Sequence, residues 1–182
     1  MQTPVTEDLM NEHGLLNRIL IIFDNYLILS NSKKSDKVKY IADAIKIIKE
    51  FIEDFHEKME EKYIFPCFNN TKFEDVTKIL IQQHIDSRTI TSNILELCSL
   101  NKIKELDNEI KLFIKMYRTH SAREDTLIFR KLRKFITEEE MIKISKIMDE
   151  KEDEIFGEKA YDGILQKIII IEQEFGLSLT RF

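Results

Sequence analysis

Residues that reverse the chain are scarce in this sequence of 182 residues. It contains four Gly and two Pro, where average usage would give about 20. The elements between reversals must therefore be long, which excludes a fold of many short strands joined by Gly/Pro turns. Charged residues make up 34% of the chain and hydrophobic residues 43%, a balance typical of long amphipathic helices with polar outer faces.

Cysteine, basic charge and long apolar runs are lacking as well. Two cysteines, Cys67 and Cys98, do not make a disulfide framework and favour a reducing cytoplasm. The net charge of −5 argues against nucleic acid or a membrane surface as a partner. Apolar runs such as 168–171 are far shorter than the roughly 20 residues of a membrane helix. A cytoplasmic protein with no nucleic-acid and no membrane partner is expected.

Apolar residues recur every three or four positions over most of the chain, which predicts helices. The four longest cover about 6–29, 37–65, 73–99 and 103–135, with 30–36 as a loop. Thr6 is the expected N-cap of the first helix, and Pro66 is expected to end the second. Long helices joined by short loops predict an all-α, up-down-up-down four-helix bundle over residues 1–136.

Two shorter helices are predicted after the bundle. Thr137 and Glu140 form a capping-box pattern that opens a fifth helix ending near Gly157. A last helix covers about 161–175, with Gly176 as its C-cap. Because no Pro-, Gly- or Ser-rich linker precedes them, residues 137–182 are predicted to be a helical extension packed on the bundle within a single domain.

The sequence contains an internal repeat. The pattern H-x-x-x-E-[ED]-x-x-I-F occurs at 56–65 and again at 120–129. A weaker match relates 9–13 in the first helix to 80–84 in the third, and both segments end in histidine. The second half of the bundle is therefore predicted to repeat the first helical hairpin.

The four histidines of the chain fall one on each bundle helix, on the stripes that face inwards. A glutamate follows four residues after the second and the fourth histidine, within about 40° of the same face. An unpaired buried carboxylate costs several kcal/mol or becomes neutral, whereas a metal compensates all of these groups together. The predicted ligands are His13, His56, Glu60, His84, His120 and Glu124. The alternative is four separate core histidines, each hydrogen-bonded.

Imidazole and carboxylate donors without thiolate fit iron or manganese better than a closed cysteine zinc site. If Glu60 and Glu124 each bridge two metals, His13 and His56 bind one ion, and the other two histidines bind the second. Octahedral coordination then leaves room for a bridging oxo or hydroxo group and one exchangeable position on each metal.

These motifs resemble the hemerythrin-like HHE cation-binding domains, which are carboxylate-bridged non-haem di-iron four-helix bundles. The resemblance covers residues 6–135 and rests on E-H at 12–13, H-x-x-x-E-E-x-x-x-F-P at 56–66, Q-H at 83–84 and H-x-x-x-E-D-x-x-x-F at 120–129. It implies two iron ions with an oxo or hydroxo bridge, with manganese or zinc as substitutes in a recombinant sample. It also implies a last carboxylate ligand at Glu124 or, as in the oxygen carriers, at Asp125. Regular helix geometry favours Glu124.

One position departs from the oxygen-carrying members of that family. They have a fifth histidine four residues after the histidine of the third helix, where this chain has Arg88, which cannot ligate a metal. The resemblance therefore implies a more open site that binds or senses O2, NO, peroxide or iron, and the chain is expected to be a binding protein rather than an enzyme. The alternatives are a di-iron enzyme acting on peroxide or O2, an iron donor in the repair of damaged iron centres, and a metal-free helical interaction module.

Neighbouring polar residues are expected to support the ligands. Carboxylates and amides beside metal-bound histidines commonly orient the rings, and the candidates are Glu57, Glu61, Gln83 and Asp125. Tyr117 and Tyr63 lie one helical turn from ligands, where they donate to a bound species or simply pack in the core. A protein partner or a homodimer is left open.

Overall fold

The computed structural model describes residues 5–177, which form six helices and no strand. We number them α1 to α6 in chain order. Their bounds are Val5–Leu27 for α1, 31–64 for α2, Glu74–Ser99 for α3, 103–132 for α4, Glu138–Phe156 for α5 and Ala160–Glu174 for α6. A short 3-10 turn, Phe65–Phe68, follows α2 and contains Pro66.

The first four helices form the predicted bundle. Along the chain each helix packs on the next, and α1 also packs on α4, which closes the ring of an up-down-up-down arrangement. The residues that fill the interior are fully buried and aromatic or branched aliphatic, including Phe23, Ile45, Phe51 and Phe113. The all-α fold class predicted from the scarcity of Gly and Pro is confirmed.

The predicted loop over 30–36 is wrong, because α2 begins at Asn31. Ser30 is extended, with φ −67° and ψ 155°, and marks the helix boundary. Lys34 in the first turn is 3% exposed, and its Nζ lies 2.5 Å from an Asp107 oxygen and over the ring of Tyr26. This buried ion pair fixes the start of α2 against α1 and α4, which a polar sequence does not reveal.

Three further expectations about helix ends can be compared with the structure. Thr6 lies inside α1, which is described from Val5, so the expectation that it is the N-cap is wrong. The capping box of α5 is confirmed, since Thr137 Oγ1 accepts from the Glu140 backbone N–H and the Glu140 carboxylate accepts from the Thr137 N–H. Gly176 adopts φ +68°, the left-handed conformation that suits glycine after a helix end.

The last two helices pack on the bundle. Ile164, Ile168 and Ile171 of α6 are buried, and α6 contacts both α1 and α2. Phe156 at the end of α5 packs edge-on against Phe51 and, with ring centroids 5.6 Å apart, against Phe55. The extension thus covers the flank of the bundle formed by α1 and α2, while the boundary after residue 136 stays a prediction.

Over residues 5–177, none of the helices has the combination of length and apolar character that a membrane crossing requires.

We predict that Phe156→Ala loosens α5 from the bundle. Removing the ring leaves a cavity against Phe51 and Phe55, which should lower the free energy of unfolding in urea by about 2–3 kcal/mol. The neighbouring variant Ile155→Ala is the control, because Ile155 is 55% exposed and should change stability by less than about 0.5 kcal/mol. Equal effects of the two substitutions would contradict the packing described.

Candidate metal centre

Wide helical turns occur where α2 and α4 carry the repeated pattern. Each backbone hydrogen bond spans five residues instead of four, as in a π-helix, over Ile48–His56, Glu60–Ile64 and Glu124–Ile128. Such turns often mark functional sites, because they change which side chains face inwards. In α4 both Glu124 and the next residue, Asp125, reach the same histidine, His13.

The six predicted ligands meet in the interior of the bundle. Each is at most 3% exposed: His13, His56, Glu60, His84, His120 and Glu124. Glu60, His84, His120 and Glu124 form one group able to hold a cation, and His13, His56 and Glu60 form another that shares Glu60. The structure therefore brings together every residue of the predicted ligand set.

The histidines are arranged as two pairs with the glutamates between them. Ring centroids are 4.8 Å apart within each pair, His13 with His56 and His84 with His120. One Glu60 oxygen lies 3.5 Å from the Nε2 of His56 and 3.6 Å from that of His84. Glu124 likewise spans the pairs, 3.3 Å from the Nε2 of His13 and 3.1 Å from that of His120. Both carboxylates thus lie between the two histidine pairs.

Each of the four histidines has a hydrogen bond at its Nδ1 atom, on the side of the ring away from the cluster. Asp125 accepts from His13 at 2.8 Å, Glu61 from His84 at 3.0 Å and Gln83 from His120 at 3.1 Å, while Glu12 accepts from His56. With the Nδ1 atoms engaged in this way, all four Nε2 atoms face the cluster, the side from which a metal would be bound. The Nε2 atoms of His84 and His120 lie 3.1 Å apart.

These supporting contacts follow the internal repeat. In the first helix of each hairpin, the residue before the histidine accepts from the histidine of the second helix. This residue is Glu12 in α1 and Gln83 in α3. The residue after each glutamate, Glu61 or Asp125, accepts from the other histidine. The phenylalanines that end the repeated pattern also match, since Phe65 stacks on His84 and Phe129 on His13, 5.6 Å and 5.7 Å between ring centroids.

The protein compensates the buried carboxylates of the cluster only in part. Neither oxygen of Glu60 and not the Nε2 of His56 has a hydrogen-bond partner among the described residues, whereas Glu124 lies against the Nε2 atoms of His13 and His120. Burial raises the pKa of Glu60, and the nearby Glu124 raises it further. Burial likewise acts to raise the pKa of Glu124, but His120 and His13 outweigh it and lower that pKa. A cation between the carboxylates would satisfy all of these atoms.

The pKa values of the buried histidines are shifted in different directions. Burial lowers the pKa of His56, and burial also brings that of His84 to about 4 despite its bond to Glu61. Burial lowers the pKa of His13 too, yet its contacts with Asp125 and Glu124 outweigh this and raise it to about 9. Neutral His56 and His84 are ready to bind a metal, whereas His13 must lose a proton first.

A second polar network lies beside the cluster, on the side of Arg88. Glu57 accepts from the Tyr117 hydroxyl at 2.7 Å, from Ser87 and from Arg88, rather than from a histidine ring. Arg88 also binds Glu61 at 2.9 Å. The Tyr117 ring packs edge-on against His120, but its hydroxyl is used by Glu57.

Two buried glutamates were missed by sequence reasoning as supporting residues. Glu12 was noted only as part of the E-H pattern, although Gln83 occupies the matching place in the repeat and could have indicated its role. Glu53 accepts from Thr91 at 2.7 Å and from Lys49, and no motif marks it. Tyr63 is half-buried with Lys62 over its ring and has no described contact with the histidines.

A helical bundle whose interior holds four histidines and two glutamates defines a class of metal-binding bundle proteins. The model of the family described as "Hemerythrin HHE cation binding domain" matches residues 5–132 of the chain. The chain therefore belongs to that family, as the resemblance of its motifs predicted, and its domain is one that binds metal cations.

Relatives of the whole chain occur in mycobacteria. An uncharacterized protein of Mycobacterium bovis and one from each of two strains of Mycobacterium tuberculosis are 31% identical to it over 191 aligned positions. The alignments cover all of this chain and 75% of each relative, so the likeness includes the C-terminal extension. No solved structure gave a significant match.

We predict that Glu60→Gln stabilises the metal-free protein. The substitution removes a buried charge that no described residue compensates, so the free energy of unfolding in urea with a chelator at pH 7 should rise by about 1–3 kcal/mol. Since the folded protein raises the pKa of Glu60, wild-type stability falls as the pH rises above the ordinary carboxyl range. The gain from glutamine should therefore shrink as the pH is lowered towards about 4–5.

The control for this measurement is Glu50→Gln, an exposed glutamate on the same helix, which should leave stability within about 0.5 kcal/mol. A loss of stability in Glu60→Gln under chelation would contradict the absence of charge compensation at this position.

Proposed function

We propose that this protein is a di-iron protein that binds or senses a small ligand such as O2 or NO, or iron itself. The observation that carries the proposal is a pair of fully buried carboxylates faced by four imidazole nitrogens, in which Glu60 has no hydrogen-bond partner among the described residues and Glu124 has imidazole neighbours. Such an arrangement is unfavourable in an empty core and favourable around cations.

The proposed ligands follow the two histidine pairs. His13 and His56 bind one ion, and His84 and His120 bind the other. Glu60 and Glu124 bridge them, which their positions between the pairs support. Asp125 is assigned to orientation of His13, because its oxygen lies 2.8 Å from Nδ1, on the far side of the ring from the cluster.

Iron is the proposed metal because the donors are imidazole and carboxylate only. Cys67 lies outside the cluster and donates its thiol to the Tyr63 carbonyl, and Cys98 is a separate buried residue. This donor set suits iron or manganese more than a thiolate zinc site. An oxo or hydroxo group is expected to complete the bridge, as in other carboxylate-bridged pairs.

The engagement of Arg88 supports a role in binding small molecules. Its guanidinium is held by Glu57 and Glu61, 2.9 Å from each, and it cannot supply the metal donor that a histidine at this position would supply. Four protein donors for each ion leave exchangeable positions for a diatomic ligand or peroxide. The binding role is preferred to an enzymatic one, because the polar side chains around the cluster are engaged: Tyr117 donates to Glu57, and Glu12, Glu61, Gln83 and Asp125 are bonded to the histidine rings.

Metal content tests the proposed ligand set. After anaerobic reconstitution with Fe2+, the wild-type protein should hold two ions per chain, and His56→Ala and His84→Ala should each hold fewer, having lost a ligand to different ions. Bound metal should also raise stability, by about 2.7 kcal/mol when free metal exceeds the dissociation constant 100-fold.

Asn17→Ala provides the control for these variants, because Asn17 is exposed and lies one turn after His13. It should keep both ions. Absence of iron from the wild-type protein, with no change in stability on histidine substitution, would instead support the metal-free interaction module.

Visible absorption separates binding from catalysis. The reduced, iron-loaded protein should change its spectrum on addition of NO or O2, and His120→Ala should abolish the change because it removes one ligand of the second ion. Under peroxide the protein should show little steady-state turnover. Sustained turnover that disappears in His56→Ala would contradict the binding role and favour a di-iron enzyme.

A further inference from the structure

The groups that face the cluster do not distinguish the two metal positions of the proposed centre. One position, which we call the first, is defined by His13 and His56, and the second by His84 and His120. Within each pair the ring centroids are 4.8 Å apart. One oxygen of Glu60 lies 3.5 Å from a ring nitrogen of the first pair and 3.6 Å from one of the second. A difference in charge between the positions can therefore arise only behind the rings.

Both groups behind the first position are acidic. Asp125 is hydrogen-bonded to His13 Nδ1 at 2.8 Å, and Glu12 is hydrogen-bonded to His56 Nδ1. Over residues 5–177, neither carboxyl group forms an ion pair with a lysine or an arginine. Burial raises the pKa of Glu12 to about 8, and a more basic carboxylate draws the proton of a metal-bound ring more strongly. The first position thus has two acidic groups behind it, and no cation offsets them.

The groups behind the second position balance in charge. Gln83, a neutral amide, is hydrogen-bonded to the α4 histidine at 3.1 Å. Glu61 is hydrogen-bonded to the α3 histidine at 3.0 Å, but Arg88 and Lys58 bind the same carboxylate, at 2.9 Å and 2.8 Å. Arg88 is shared with Glu57, which is hydrogen-bonded to tyrosine, serine and arginine rather than to a histidine. Two carboxylates therefore meet two cations on this side of the cluster.

The charge behind a metal-bound imidazole alters the ion in front of it. A carboxylate bonded to Nδ1 makes the ring a stronger donor, and its negative charge lowers the energy of a more highly charged ion nearby. Both effects favour Fe3+ over Fe2+, whereas an amide supplies neither a full charge nor a basic acceptor. Replacing such a group changes metal binding about 10- to 100-fold, so a difference of two acidic groups is large enough to make the positions unequal.

We propose that the two positions are electronically unequal, with Fe3+ held at the first and Fe2+ at the second when the protein is half reduced. Glu12 and Asp125 determine the first preference, and Gln83 and the arginine-bound Glu61 determine the second. The first electron that a reductant such as dithionite gives to the di-ferric protein then reduces the second position, and the next electron reduces the first.

The inference rests on the proposed function, since it requires two irons at the cluster, and it deepens that function by assigning the ligand to one of them. NO binds Fe2+ in preference to Fe3+. The second position is therefore where the half-reduced protein binds NO.

A redox titration of the iron-loaded protein under argon, followed by visible absorption and electron paramagnetic resonance, measures the potential of each one-electron step. Gln83→Glu should lower the first potential by at least about 59 mV, which is tenfold in the reduction equilibrium, because it places a carboxylate behind a ring of the second position. Glu12→Gln should raise the second potential by at least about 59 mV. Each substitution should move the other potential by less than about half of its main shift.

The exchange variant Glu12→Gln/Gln83→Glu keeps the composition and the net charge of the chain. It should bring the two potentials together from both sides and so lower the comproportionation constant of the half-reduced protein about 100-fold, the product of two tenfold changes. Asp125→Asn changes a carboxylate that is 33% exposed, and it should raise the second potential as Glu12→Gln does. It keeps the assignment testable if Glu12→Gln or Gln83→Glu fails to fold.

Gln82→Glu is the matched control, since it adds the same charge at the exposed neighbour of Gln83. Because solvent screens that position, each reduction equilibrium should change by less than about threefold. Metal analysis and circular dichroism verify that every variant is folded and holds two ions.

Binding of NO to the half-reduced protein tests the position of the ligand. Gln83→Glu should change the dissociation constant of NO at least about tenfold, because it alters a donor of the ion that binds NO. Glu12→Gln should change the same constant by less than about threefold.

The outcomes separate this inference from the proposed function. Equal shifts of the two potentials in Gln83→Glu, a larger shift of the second, or no narrowing in the exchange variant would overturn the assignment while leaving the di-iron centre standing. An NO affinity that responds to Glu12→Gln instead of Gln83→Glu would overturn the second position as the ligand site. If the wild-type protein takes up no iron, the proposed function fails and this inference with it.

Discussion

Two glutamates buried among four imidazoles are the constraint on which the rest of this structure depends. Glu60 and Glu124 are fully buried; Glu60 has no hydrogen-bond partner among the described residues, and Glu124 lies against the imidazoles of His13 and His120. An interior of Leu, Ile and Phe cannot solvate such groups. The surrounding helices are therefore organised to hold donors around a space for cations, at a cost in the stability of the metal-free protein.

The internal repeat solves the problem of orientation twice with the same contacts. In each half, the residue before one histidine and the residue after the glutamate form hydrogen bonds with histidine Nδ1 atoms. A phenylalanine in each half stacks on a histidine ring. Differences between the halves lie outside this shell. Arg88 and Glu57 form an ionic network on one side, and Glu12 lines a cavity between α1 and the C-terminal extension on the other.

Much of the fold and of the centre could be predicted from the sequence, because both are periodic. Helical stripes place His56 and Glu60 on one face, and the repeated pattern does the same for His120 and Glu124. The start of α2 could not be predicted, since it depends on Lys34 reaching Asp107 across 73 positions of sequence. The hydrogen-bond partners of Glu57 could not be predicted from the sequence either, because Tyr117, Ser87 and Arg88 lie on other helices.

The sequence by itself determined an all-α bundle, a duplicated hairpin and a set of six inward-facing donors, because residue type and helical spacing suffice for these. Only the tertiary structure decided which residue holds which imidazole and how Glu124 and Asp125 divide their roles, the first facing the cluster and the second His13 Nδ1. It also decided that the extension meets α1 beside Glu12. Those relations depend on the π-helical turns and on how helices pack, and neither is written in local spacing.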